Sequence, residues 1–189
     1  MQSGNNGLEP INSYALVAYL PDPLGAYLDK VRLDLVPSCV PHAHVTVLPP
    51  RPLNGSPEEA IEALREDMRD LPRFEVEPAE VEIFGMTSVI YVALEQGADE
   101  FHLMHDRLNS GPLAFDEPFA YHPHITLAQQ LACEQVMGVY EVARMRWAAF
   151  PYRRHFAVDT ITFVQNTRQN KWLDLAYYRL QPAASLVMR

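Results

Sequence analysis

One short pattern is written twice in this chain. Residues 41–48 read PHAHVTVL and residues 121–128 read YHPHITLA. Each copy is a strand-like apolar run that carries a His and, two positions on, a Thr. A strand shows alternate residues on one face and advances about 6.6 Å over two of them. His44 and Thr46 therefore share a face, and so do His124 and Thr126.

The surroundings repeat with the pattern. YALVAYL at 14–20 reads as a buried strand and Asp22-Pro23 as a helix start. Leu24, Tyr27, Leu28, Val31 and Leu35 form the apolar stripe of a helix that Pro37 ends. Strand 44–48 follows, with Pro49-Pro50 as its stop. Ser56-Pro57-Glu58-Glu59 is a capping-box signature ahead of the stripe Ile61, Leu64, Met68 and Leu71. Segment 73–85 alternates like a strand with a slip at Pro78, which predicts a bulge or a bend.

The second half runs in the same order. Strand 88–94 precedes a helix capped by Asp99 that carries Phe101, Met104, His105 and Leu108. Strand 124–128 and a stripe through Val136, Val139, Tyr140, Ala143 and Trp147 come next. Strands 156–164 and 172–180 close the chain as a hairpin turning near Gln169-Asn170. A repeat near 80 residues is too long for a solenoid unit. It predicts a single bilobal α+β domain over 1–189, with lobes at roughly 14–86 and 87–180 that exchange a strand. Residues 1–12 and 182–189 read as flexible ends.

Two His/Thr pairs meeting at one site would hold a phosphate between them. Histidine titrates near neutral pH, so one ring can take a proton while the other gives one. The hydroxyls donate to oxygens on which charge builds up. Such a set suits phosphoester chemistry without a metal or other cofactor. The net charge of −9 argues against a wide nucleic-acid surface and for a nucleotide or a chain end.

The two copies, HVTV at 44–47 and PHITLA at 123–128, resemble the paired His-x-Thr/Ser signatures of the 2H phosphoesterase superfamily. Within it the chain is similar to the group of 2′-5′ RNA ligases and 2′,3′-cyclic nucleotide phosphodiesterases. Element order matches over roughly 14–180. The resemblance implies a bilobal, pseudo-two-fold α+β fold of two antiparallel-rich sheets, helices outside, with the motif strands facing a central cleft. It implies metal-independent phosphodiester chemistry, with His44 and His124 as acid and base and Thr46 and Thr126 on the phosphate. Where the family's first motif often runs into aromatic and glycine residues, this chain has VLPPRPL.

Other readings of the same residues stay open. His42/His44 and His122/His124 are also two His-x-His pairs of a kind that ligates zinc, and the clamp would equally serve a non-catalytic nucleotide-binding module. Tyr121, beside the second motif, is the preferred base-stacking candidate, ahead of Phe119, Phe84, Tyr91 and Trp172. Arg51 and Arg153, the latter in PYRRHF with Arg154 and His155, are candidate phosphate contacts. His102 and His105 read as surface residues, and Cys39 and Cys133 as reduced, buried thiols. No apolar run is long enough for a membrane span, and no address is present, so the cytoplasm is the expected location and a monomer the expected state. Which histidine is the base, and whether hydrolysis or 2′-5′ joining prevails, is left undecided by near-symmetric motifs.

Overall fold

A computed structural model describes residues 8–40 and 42–182. Its elements, in chain order, are β1 (Pro10–Tyr19), α1 (Leu24–Leu35), β2 (His44–Arg51), α2 (Pro57–Asp67), β3 (Phe74–Ile83) and β4 (Ile90–Gln96). Then come α3 (Ala98–Leu108), β5 (Ile125–Ala128), α4 (Val136–Ala148), β6 (Phe156–Val158), β7 (Thr160–Thr167) and β8 (Trp172–Arg179).

All eight strands form one curled sheet in the order β6-β3-β4-β5-β2-β1-β7-β8, every neighbouring pair antiparallel. This corrects the expected pair of sheets. The motif strands β2 and β5 do not face each other across a gap between layers; they are neighbours in the middle of one sheet. Periodicity identifies strands, but which strands pair is decided by non-local packing. The pseudo-repeat is nonetheless visible in the order. Strands β1 and β2 lie on one side of the centre and β4 and β5 on the other. After the motif units β3 and β7 cross over: β3 pairs with β4, and β7, coming after the short β6, pairs with β1.

The four helices cover one face of the sheet. Leu28 of α1, Leu64 of α2, Phe101 and Leu108 of α3, and Trp147 of α4 share a core with Leu16, Val45, Val47, Ile125 and Leu127. Each helix contributes an apolar stripe at helical spacing, so this burial follows from the sequence. Ser56 caps α2 in a full capping box, accepting from the Glu59 amide. Asp22 Oδ1 accepts the Ala26 N–H at 3.0 Å at the start of α1. The opposite face carries only a small apolar cluster of Ala15, Val17 and Val164, flanked by Tyr19 and Trp172. Among the described residues no helix is long and apolar enough to cross a membrane.

Several local expectations need correction. Strand β2 runs through Pro49-Pro50 to Arg51, which pairs with Tyr14. Its registered contact with β5 is at Val45, so prolines farther along withhold no donor from that side. Helix α3 starts after Gly97, not at an Asp99 cap. Gly97 has φ of +90°, and a Cβ there would lie 2.8 Å from Val76 Cγ2, so only glycine makes this turn easily. Strand 156–164 is broken at Asp159 into β6 and β7, which pair with different partners. Residues 10–12 belong to β1 rather than to a flexible end; residues 1–7 and 183–189 lie outside the described residues. Cys39 and Cys133 are free thiols, but Cys133 is exposed.

Candidate active site

The site begins with strand parity. Over the equivalent stretches His44–Val47 and His124–Leu127 the burial alternates identically, with Val45, Val47, Ile125 and Leu127 buried on the helix side. His44, Thr46, His124 and Thr126 are half-buried and share the helix-free face. Val45 lies opposite Ile125 on antiparallel strands. His44 is therefore opposite Thr126, and Thr46 is opposite His124. Directly opposed side chains start about 4.5–5.5 Å apart, and the diagonal between the two histidines is about 7–8 Å at the backbone, a gap of phosphate size.

Both rings are oriented in the same way. His44 Nδ1 lies 2.7 Å from the His42 carbonyl oxygen, and His124 Nδ1 lies 2.7 Å from that of His122. A carbonyl only accepts, so Nδ1 carries the hydrogen in each ring. Nε2 is left as the working atom: a proton acceptor when the ring is neutral, a donor when it is charged. Loss of hydration pushes His44 down to about 4, with repulsion from Arg32, His124 and His42 acting the same way and the carbonyl bond opposing. His124 is also lowered, first by burial and further by His122, again against its carbonyl bond. An anionic phosphate bound between them raises both rings by direct charge attraction.

Each histidine has a tyrosine–carboxylate pair on its outer side. Tyr19, opposite His44 on β1, sits edge-on to that ring at 6.4 Å and donates to Asp174 Oδ1 at 2.8 Å. Tyr91, opposite Thr126 on β4, lies 5.3 Å from the His124 ring and donates to Glu82 Oε2 at 2.8 Å. Burial pushes both phenols up, which keeps them neutral donors. Phe84 stacks on Tyr91 at 4.0 Å and meets His124 edge-on at 5.0 Å. Two hollows, of about 320 and 220 Å³, have Tyr19 in their walls; the larger adds Thr160, Thr162 and Tyr177, the smaller Asp29 and His42. Neither has His44 or His124 in its wall.

The structure brings together His44, His124, Thr46 and Thr126, with Phe84 and Tyr91 beside them. It does not bring in Arg51. That guanidinium is 2 % exposed and is consumed by Glu117, Asn109 Oδ1 at 2.7 Å, and the carbonyls of Leu113 at 3.1 Å and Pro49 at 2.9 Å. Arg153 is exposed ahead of β6, three strand spacings from β5, about 14 Å across the sheet. Its neighbour Arg154 is committed to Trp147, stacking over the ring and donating to its carbonyl at 3.0 Å. Tyr121 is tied down: its hydroxyl donates to the Thr46 carbonyl at 2.7 Å and its ring stacks on His105 at 4.1 Å. His105, read from sequence as a surface residue, is buried and bonded to Glu117 at 2.9 Å. His42 and His122 are exposed at the strand starts. Among the described residues no three His, Cys, Asp or Glu side chains cluster as a metal donor set.

Sequence reading missed Arg32, Tyr19 and Asp174. Arg32 left a signal: it continues the i, i+4 row Leu24, Leu28, which places a cation on the buried stripe of α1. Tyr19 and Asp174 reach the site through strand pairing that no local pattern carries.

Comparison with known proteins gives the family and the fold. A family model, the 2′-5′ RNA ligase superfamily, matches residues 20–170. A protein of Geobacillus thermodenitrificans (strain NG80-2), provisionally named a phosphoesterase, is 28% identical over 117 residues, covering 57% of this chain and 67% of its own. Among solved structures, E. coli LigT in apo form superposes with a TM-score of 0.64 at 17% identity, over 90% of this chain and 98% of that one. TT0787 of Thermus thermophilus gives 0.60 at 20% identity, over 90% and 99%. These two likenesses concern the fold. With the family match spanning both His/Thr strands and the helices between them, the chain belongs to the 2′-5′ RNA ligase superfamily.

Proposed function

We propose that this chain is a phosphodiesterase that opens a 2′,3′-cyclic phosphate on a nucleotide or an RNA end, or runs the reverse 2′-5′ joining, with His44 and His124 as base and acid. The observation that carries the reading is the matched placement of the two rings: diagonal neighbours on adjacent strands, one face, each with Nδ1–H bound to a carbonyl, which leaves Nε2 for proton transfer. Thr46 and Thr126 fill the other two corners and donate to the phosphate oxygens.

In the hydrolytic direction one neutral Nε2 takes a proton from water as the new O–P bond forms. The opposite Nε2–H protonates the ribose oxygen as the old P–O bond breaks. General acid–base help of this kind is typically worth about 10²–10⁴-fold per group. The chain's own residues supply acid, base and phosphate donors, so the chemistry calls on no bound metal. Support for a nucleotide comes from the relative of like fold: LigT has been crystallised with 3′-AMP, with ATP, with NADP+ and with phosphate. The net charge of −9 favours a small ligand or a chain end over long RNA.

The test is turnover of the four 2′,3′-cyclic nucleotides and of short RNA ends, with His44→Ala and His124→Ala as controls. Each replacement should lower kcat by about 10²–10⁴-fold while nucleotide affinity stays within several-fold. Binding without any turnover by the unmodified protein would assign it instead to a nucleotide-binding module.

A further inference from the structure

The two inner rings are held alike but differ in what holds the carbonyl behind them. Both inner rings donate Nδ1–H to the carbonyl two residues earlier, at 2.7 Å in each case. The His42 carbonyl also accepts Arg32 Nη1–H at 2.9 Å, and Nη2 of the same guanidinium donates to the Val40 carbonyl at 3.2 Å. Arg32 reaches there from α1 and is only 7 % exposed. No basic side chain reaches the His122 carbonyl among the described residues.

A carbonyl shared with a guanidinium offers less electron density to a second donor, so it supports a charged His44 ring less well. The buried cation also repels that charged ring directly. The other groups facing His44 do not cancel this. His42 beside it and His124 from β5 are cationic when protonated, and Tyr19 from β1 is a neutral phenol whose partner Asp174 lies beyond it. Asp29 of α1 sits 3.8 Å from the exposed His42 ring, not against His44. On the other side His124 has His122 and the aromatic rings of Phe84 and Tyr91, with Glu82 behind the latter.

We propose that Arg32 makes the near-symmetric site unequal: by holding the His42 carbonyl it keeps His44 neutral as the base and leaves His124 as the proton donor. This rests on the two-histidine phosphodiesterase reading above. Arg32 touches no substrate; it is a positioning residue acting through a peptide carbonyl. In ring opening, His44 Nε2 takes the water proton as the O–P bond forms, and His124 Nε2–H passes its proton to the ribose oxygen as the P–O bond breaks. Afterwards His44 releases one proton to solvent and His124 takes one up. The lower titration of His44 than of an ordinary histidine, to which Arg32 contributes, runs in the same direction.

The experiment is an NMR titration of the histidine rings in the full chain, unmodified and as Arg32→Gln and Arg32→Lys. Expected is a His44 midpoint below that of His124, raised by about one pH unit in Arg32→Gln with His124 unmoved, and largely restored to its low value in Arg32→Lys. The acid limb of kcat/KM on a 2′,3′-cyclic nucleotide should move with the His44 midpoint. A merely structural arginine would lower stability or kcat without shifting either. The proposal is overturned if His124 titrates below His44 in the unmodified protein, or if His44 stays put in folded Arg32→Gln. Should that variant not fold, the order in the unmodified protein decides. The titration needs no turnover, so failure to cleave any phosphodiester would sink the functional reading while the ring order is judged on its own.

Discussion

Val45 lies opposite Ile125 on neighbouring antiparallel strands, and that one registered pair assembles the candidate site. It sets His44 against Thr126 and Thr46 against His124, all on the face without helices. Side-chain direction has period two, so a slip of one residue would turn one pair into the core. Burial of Val45, Val47, Ile125 and Leu127, none more than 1% exposed, guards against such a slip.

The register makes the two threonines equivalent, and this has a kinetic consequence. Thr46→Val and Thr126→Val keep shape and remove one donor to a charged oxygen. A hydrogen bond of that kind is worth about 1.5–3 kcal/mol, so each change should lower kcat/KM by about 10–100-fold. Steady-state kinetics on a cyclic nucleotide checks this, with thermal unfolding as the control for an intact fold. If one replacement is silent, the phosphate leans on a single strand and the four-corner picture is wrong.

Acid sensitivity follows from the histidines. In the folded chain His44 is pushed down to about 4 by loss of hydration, and His124 is lowered as well. Between that value and the ordinary value near 6.5 the unfolded chain binds the extra proton, so stability rises with pH there. The stabilisation is fully present above about pH 6.5 and is lost as pH falls toward 4. For His44 it amounts to roughly 2–3 kcal/mol. Urea unfolding between pH 4 and 7 should show this slope, and His44→Gln should flatten it. An unchanged slope in the variant would mean that the His44 ring is not dehydrated in the folded chain.

Much of this was readable from residue order, and the rest failed for identifiable reasons. The helices carry their stripes at the positions that periodicity names, Leu24/Leu28/Val31 in α1 and Phe101/Met104/Leu108 in α3, because burial on one face is a local property. The bulge at Pro78 is present as a register shift in the β3–β4 ladder. Strand partners are not local. Nothing near residue 44 or 124 says that β2 and β5 abut in one sheet, so the pairs were expected across two. Arg51 and Arg153 stand out by charge and proximity in sequence, whereas Arg51's partners Asn109 and Glu117 come from the other half of the chain.

That buried arginine yields a prediction of its own. Arg51 and His105 meet on Glu117, and none of the three bonds to His44, Thr46, His124 or Thr126. Breaking a buried ion pair by removing one partner typically costs about 3–5 kcal/mol, because the other charge is left uncompensated. Arg51→Met should lose about that much in chemical unfolding, and Glu117→Gln somewhat less, while KM stays unchanged. The double replacement should cost less than the two singles added together. A rise in KM with stability preserved would instead make Arg51 a substrate contact.

Tyr121 separates two roles that sequence alone leaves merged. Position beside the second motif suggests a ring that stacks a base, and loss of such a ring raises KM. In the structure the hydroxyl donates to the Thr46 carbonyl, 2.7 Å away, and His105 covers one ring face. The chain before Ile125 has left the ladder, and the registered β2–β5 contact is at Val45, so the phenol serves a β2 carbonyl beyond that pair. Tyr121→Phe keeps the ring and orphans that carbonyl, at a cost of about 1–3 kcal/mol. The loosened backbone is that of Thr46, the residue proposed to donate to the phosphate. The expected outcome is therefore a several-fold fall in kcat, lower stability and an unchanged KM. A selective rise in KM on Tyr121→Ala, with Tyr121→Phe behaving as the unmodified protein, would return the residue to base stacking.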